Sequence, residues 1–169
     1  MQPPTIPAQP AAAEAALHCD VLVVGGGPAG STIAALLAEQ GRDVVVIEKA
    51  RHPRFHIGES LLPANVALFD RLGLRDRVEA IGMQKYGVEF VSPDHEHRQF
   101  IEFVEAWDKS MPYAWQVRRS ELDEILFRHA AAKGARTFEG ERVREVAFDG
   151  AGATVQVELA DGARRSWRE

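Results

Sequence analysis

The 169-residue chain is 46% hydrophobic and 27% charged, and 20 Lys and Arg against 25 Asp and Glu leave a net charge of −5. This is an ordinary globular composition, with no basic field to hold nucleic acid or an anionic membrane surface, so neither partner is expected. A single cysteine, Cys19, excludes an intramolecular disulfide, and no apolar run approaches the ~20 residues of a membrane helix or forms the core of a secretory signal; a cytoplasmic protein is expected.

Residues 1–18 are rich in Pro and Ala and read as a disordered tail, with the folded domain occupying 19–169. Asp20 to Val24 then forms a strand that runs into Gly25-Gly26-Gly27-Pro28-Ala29-Gly30. A helix with Ile33, Leu36 and Leu37 at helical spacing follows and stops at Gly41. A second apolar strand, Val44 to Ile47, ends at Glu48. This order is the dinucleotide-binding fingerprint, and each part has a physical task. Gly25 permits the tight turn, Gly27 lets backbone N–H groups approach a pyrophosphate, and Gly30 lets the helix lie close on the strand. The unpaired N–H groups at the helix start, around Pro28 and Ala29, favour an anion. Glu48, at the tip of the second strand, is placed to accept hydrogen bonds from a ribose diol.

Lys49 opens a loop to Gly58 that also carries Arg51, His52, Arg54 and His56, cations that either meet phosphate or flavin or are simply solvated. Leu62, Val66, Phe69 and Leu72 then mark a helix with Pro63 in its first turn and Gly73 at its end. Tyr86 to Ser92 and Gln99 to Val104 read as strands around a turn at Pro93-Asp94. His95 and His97 fall in that turn without further ligands at metal-binding spacing. Ser120 is a candidate cap for a helix whose stripe is Leu122, Ile125, Leu126 and Ala130, ending at Gly134. A strand over Ala135 to Phe138 should join the sheet. A three-strand antiparallel meander follows, through Val143 to Phe148, the alternating Val155, Val157 and Leu159, and a last segment to Trp167. The expected fold is therefore α/β: a Rossmann-like dinucleotide-binding fold with a parallel sheet, crossover helices and an antiparallel β-meander.

Three segments together carry a family resemblance. Gly25-x-Gly27-x-x-Gly30 with Glu48, Gly58-Glu59-Ser60-Leu61-Leu62-Pro63, and Arg119-x-x-Leu122-Asp123-x-x-Leu126 occur in the order found in FAD proteins built like the aromatic hydroxylases, and the set most resembles the flavin-dependent halogenases. The resemblance covers residues 19 to 168. It implies FAD as cofactor, with Gly58 and Ser60 beside the flavin and Arg119 on its pyrophosphate side, where a guanidinium offers bidentate geometry. It also implies that Lys85, in Met83-Gln84-Lys85-Tyr86-Gly87, is the catalytic residue that directs hypohalous acid to the substrate. A desolvated lysine suits that task as donor or nucleophile.

The activity so implied is halogenation of a phenolic, pyrrolic or carrier-tethered aromatic substrate, using O2, a halide and reduced FAD from a separate flavin reductase. No metal is implied. Because the second flavin motif and the tryptophan-rich motif of such enzymes lie further along their chains, this sequence reads as the amino-terminal FAD-binding portion, inactive alone. Two alternatives stay open: an FAD-dependent hydroxylase or prenyl-chain reductase on the same scaffold, with Lys85 incidental, and a non-catalytic truncated nucleotide-binding module.

Overall fold

The structure, a computed structural model, describes residues 16–107 and 110–169. Most of the expected tail, 1–15, lies outside them. At its end, however, Leu17–His18 form a short strand, β1. The remaining elements are β2 (Val21–Val24), α1 (Pro28–Glu39), β3 (Val44–Glu48), α2 (Ala64–Leu72), α3 (Arg75–Glu79), β4 (Gly82–Lys85), β5 (Gly87–Val91), β6 (Arg98–Glu102), a 3-10 turn (Phe103–Glu105), β7 (Ala114–Val117), α4 (Arg119–Ala132), β8 (Arg136–Glu139), β9 (Arg142–Asp149), β10 (Gly152–Glu158) and β11 (Arg164–Arg168).

At the centre is a parallel sheet in the order β2-β3-β8. In β3 the two-residue side-chain period divides the strand between two cores. Val44 and Val46 face α1 and α4, together with Leu122, Leu126, Phe127 and Ala130. Val45 and Ile47 face the other way, onto Val155, Val157 and Trp167 of the meander. A strand covered on both faces must be apolar throughout, which is why β3 reads as an unbroken run. β2 is less complete: among the described residues it pairs only with β3, and Val24 is 60% exposed.

The meander forms a second sheet in the order β1-β11-β10-β9, with β1 parallel to β11. Two small antiparallel pairs, β4 with β7 and β5 with β6, complete the topology. His95 and His97 lie exposed between β5 and β6. Cys19 is half buried beside the second core, and burial pushes its thiol up to about 11, consistent with a small apolar filler rather than a nucleophile.

Three expectations need correcting. Ser120 does not cap α4: the helix begins at Arg119, with Arg118 as N-cap and no side-chain cap bond, because Arg119 uses helical i,i+4 spacing to pair with Asp123. Of the α1 residues at helical spacing, Leu36 and Leu37 pack partly buried against the core and Ile33 does not. Ser31, Ala34 and Ala35 are buried there, small residues that let the helix lie close on the sheet, while Ile33 is exposed. Leu62 likewise points outward, before α2 begins.

Trp115 of β7 is fully buried between Phe69 and Tyr113. Trp115→Ala should cost about 3–5 kcal/mol, since the surrounding helices cannot close the void. Urea unfolding of the two proteins will show this as a lower midpoint at unchanged slope.

Candidate cofactor site

The site lies where β2 and β3 end. Gly25 adopts φ +102°, a backbone conformation that side chains disfavour, and its N–H donates to the Ile47 carbonyl, so the turn is welded to the end of β3. The fingerprint glycines then divide their work. A Cβ on Gly30 would stand 2.0 Å from the Gly25 carbonyl oxygen and 3.1 Å from Val23, so this glycine allows α1 to meet the turn. A Cβ on Gly26 would stand 2.5 Å from the Phe127 ring. At Gly27 the nearest atom, Arg54 Nη2, is 3.6 Å away; that position is open on the protein side and faces the space beyond the helix start.

Gly27 is the N-cap of α1, with no side-chain cap bond and no acidic residue in the first turn. Pro28 has no N–H to offer, and the Ser31 N–H returns to the Gly27 carbonyl. The Ala29 and Gly30 N–H groups and the positive helix end are thus left for an anion. The Ser31 hydroxyl is buried and donates to the Gly26 carbonyl, which fixes the turn from inside.

Glu48 is 3% exposed and accepts from two backbone groups, the Gly26 N–H at 2.7 Å and the Ala50 N–H at 2.8 Å. Each oxygen keeps a second lone pair. Beside it lies a cleft of about 370 Å³ lined by Val24, Gly25, Lys49, Glu141, Arg142 and Val143, with Lys49 itself exposed at the rim.

Two arginines approach the turn in different states. Arg119 is fully used: Nε and Nη2 donate to the two oxygens of buried Asp123 at 2.7 and 3.1 Å, and Nη1 donates to the Ile57 carbonyl at 2.9 Å. It holds the loop around Gly58, where φ is +98°, against α4. Arg54 is not used up. Its Nη2 lies 3.8 Å from Glu48 and 3.5 Å from Asp123, beyond hydrogen bonding, and its Nε is buried without a partner.

Sequence reasoning assigned no role to Asp123 or Gly26 and could not separate Arg54 from its neighbours. The Arg119/Asp123 spacing was a usable signal. For Arg54 there was none, because only the fold shows that Arg51 lies against Gly140, that the His52 ring contacts Glu139 at 2.8 Å, and that His56 bonds the adjacent Ile57 carbonyl. Burial alone would raise the Glu139 carboxyl, but donation from the His52 backbone and ring and from Arg128 takes it below its usual range.

The remaining candidates form a second cluster. Residues 59–61 lie along β7: Ser60 bridges Gln116, the Val117 N–H donates to the Glu59 carbonyl at 2.9 Å, and the Leu61 N–H to the Trp115 carbonyl at 3.0 Å. On the other edge of β7, Lys85 stands opposite Ala114. The Lys85 ammonium donates to the Ser60 hydroxyl and sits 5.3 Å from the Phe103 ring centroid. Burial lowers its pKa.

A partnerless buried guanidinium nitrogen, an uncapped helix start and an open glycine face suit a diphosphate, and a buried carboxylate with free lone pairs suits a ribose diol; together they fit an adenine dinucleotide such as FAD. The arrangement is that of a dinucleotide-binding module. The chain belongs to the family described as "FAD binding domain", whose model matches residues 18–166. It is 47% identical over 131 residues to the flavin-dependent halogenase gsfI of Penicillium aethiopicum and 45% identical over 131 residues to the tryptophan 2-halogenase of Chondromyces crocatus, covering 78% and 77% of this chain and 24% of each relative. The myxobacterial chondrochloren halogenase CndH superposes with a TM-score of 0.81 at 34% identity, over 90% of this chain and 36% of that one. The chain thus spans about a quarter of the length of the curated relatives it matches.

Gly27→Ala should leave the melting temperature unchanged and, if the phosphates lie against the helix start, weaken FAD uptake about tenfold or more, because its methyl group meets no protein atom closer than 3.6 Å. Gly30→Ala should lower stability by about 1–3 kcal/mol, since backbone must shift. Thermal melts and flavin-fluorescence titration of the pair will separate the two roles.

Proposed function

We propose that this chain is the FAD-holding portion of a flavin-dependent halogenase acting on a phenolic, pyrrolic or carrier-tethered aromatic ring, served by a separate flavin reductase. The observation that carries the reading is the placement of Lys85: a lysine at the end of β4, with a pKa lowered by burial, whose ammonium bonds Ser60 on the strip of backbone that continues from the loop after Glu48.

In this reading Glu48 takes the ribose hydroxyls with its spare lone pairs, Arg54 and the α1 N–H groups take the diphosphate, and Lys49 borders the adenosine end. Gly25, Gly27, Pro28, Ala29 and Gly30 shape the turn, while Arg119 keeps Gly58 and Ser60 in place. Reduced FAD, when bound, supplies the electrons with which O2 and halide become hypohalous acid. Lys85 donates a hydrogen bond to the oxygen of that acid. As the ring carbon–halogen bond forms and the oxygen–halogen bond breaks, the lysine proton passes to the leaving oxygen to give water, and the ring proton, lost to base or solvent as aromaticity returns, restores the ammonium, so hypohalous acid and Ar–H become Ar–X and water. A charge-assisted donor at a partly desolvated point favours this step over escape of the oxidant.

The test uses the full-length polypeptide with FAD, a flavin reductase, O2, chloride or bromide, and a panel of phenols, pyrroles, carrier-bound aromatics and, given the name of one relative, tryptophan. Halide-dependent product is expected. Lys85→Met should reduce it at least ~100-fold while flavin uptake is retained. Halide-independent hydroxylation would move the reading to an aromatic hydroxylase, flavin uptake without turnover would move it to a non-catalytic module, and full product from Lys85→Met would remove the lysine's role.

A further inference from the structure

We propose that Ser60 is a positioning residue for Lys85: its hydroxyl holds the lysine amine against the Phe103 ring and so fixes the point from which the oxidant is delivered. The inference rests on the halogenase reading above and adds a residue that the resemblance places beside the flavin instead.

The geometry is set by β7. Ser60 lies opposite Gln116 on one edge of this strand and Lys85 opposite Ala114 on the other. Ala114 and Gln116 are two residues apart, so the Ser60 and Lys85 side chains stand over the same face and meet across the strand. The Ser60 backbone cannot drift, because the carbonyl before it and the N–H after it are both bonded to β7. Phe103 is equally fixed: it is buried, and its N–H donates 2.8 Å to the carbonyl of Tyr86, the residue after Lys85. A lysine on a flexible four-carbon stem is thereby held between a hydroxyl and a ring, each anchored by backbone.

The choice of a hydroxyl matters. A carboxylate at position 60 would hold Lys85 permanently as the ammonium. Serine accepts from the ammonium and donates to the free amine, so the contact survives transfer of the lysine's proton and adds no charge to oppose it. Ser60 is itself exposed and makes no other side-chain bond among those described, so it can be changed without disturbing a core.

In the full-length polypeptide loaded with FAD, Ser60→Ala should keep flavin affinity within about twofold and continue to consume O2. Its halogenated product per O2 should fall about tenfold, with the missing oxidant recovered by an added hypohalite scavenger. Ser60→Thr should restore coupling. Independently of turnover, a lysine-directed acylating reagent read by mass spectrometry should label Lys85 several-fold faster in Ser60→Ala, since the amine is released. Unchanged coupling or unchanged Lys85 labelling overturns the proposal, as does loss of flavin affinity in proportion to product, which would make Ser60 a cofactor ligand. Lys85→Met run alongside separates the two levels: if it is inactive while Ser60→Ala is fully coupled, only the positioning role falls, and if it is active, the reading of Lys85 itself falls.

Discussion

The buried carboxylate of Glu48 is the joint on which the site depends. It ends β3, receives the N–H of Gly26 from the turn before α1, and receives the N–H of Ala50 from the loop that leaves the strand. Hydrogen bonds from neutral donors to a buried charged acceptor contribute about 1.5–3 kcal/mol each, more than a neutral pair. Three backbone segments therefore share one anion, and Arg54 stands beside it as the counterion. Without that carboxylate, the Gly26 and Ala50 N–H groups would lose their acceptor and Arg54 a nearby counterion, leaving the Gly25 N–H bond to the Ile47 carbonyl to hold the turn to the sheet.

The second feature of the site is its charge balance. Glu48 and Asp123 face Arg54 and Arg119, so the cluster is close to neutral before any ligand arrives. The two cations differ in commitment. Arg119 satisfies Asp123 bidentately and reaches the Ile57 carbonyl, whereas Arg54 interacts through space and leaves Nε unpaired. In the proposed reading a diphosphate would meet a guanidinium whose Nε is unpaired and a helix whose first turn carries no acid. The site is thus electrostatically ready without a bare excess of positive charge.

What could be read from the sequence follows from which physical rules are local. The glycine fingerprint was legible because a positive φ at Gly25 and the absence of a Cβ at Gly30 leave no other residue type. The meander was legible because Val155 and Val157 alternate with polar neighbours, and β8 because a short strand after a helix stop has few alternatives. α3, β4 and β7 were not read. Gly82-Met-Gln-Lys and Ala114-Trp-Gln-Val are too short and too mixed to show a period, and they exist as strands only because each supplies the other's hydrogen bonds. The stripe of α1 was legible in Leu36 and Leu37 but not in Ile33, and its fully buried positions, Ser31, Ala34 and Ala35, are small residues that carry no apolar period. Candidate residues carrying a motif could be singled out; Arg54, whose position depends on the path of the loop, could be named only as one of several cations.

That loop path joins the two halves of the site. From Glu48 the chain passes His52, anchored to Glu139; then Arg54, over the glycine turn; then Ile57 and Gly58, held by Arg119; and then Ser60, laid on β7. Every few residues it is fixed to a different element: β8, α4 and β7. A strip pinned so often moves as part of the scaffold, so the distance between the glycine turn and the Lys85 amine is set by backbone and side-chain bonds within the protein. Pre-organisation of this kind reserves binding energy for the reacting groups, and the strip reaches it through a few anchoring bonds although most of its side chains, Phe55 and Ile57 among them, are exposed.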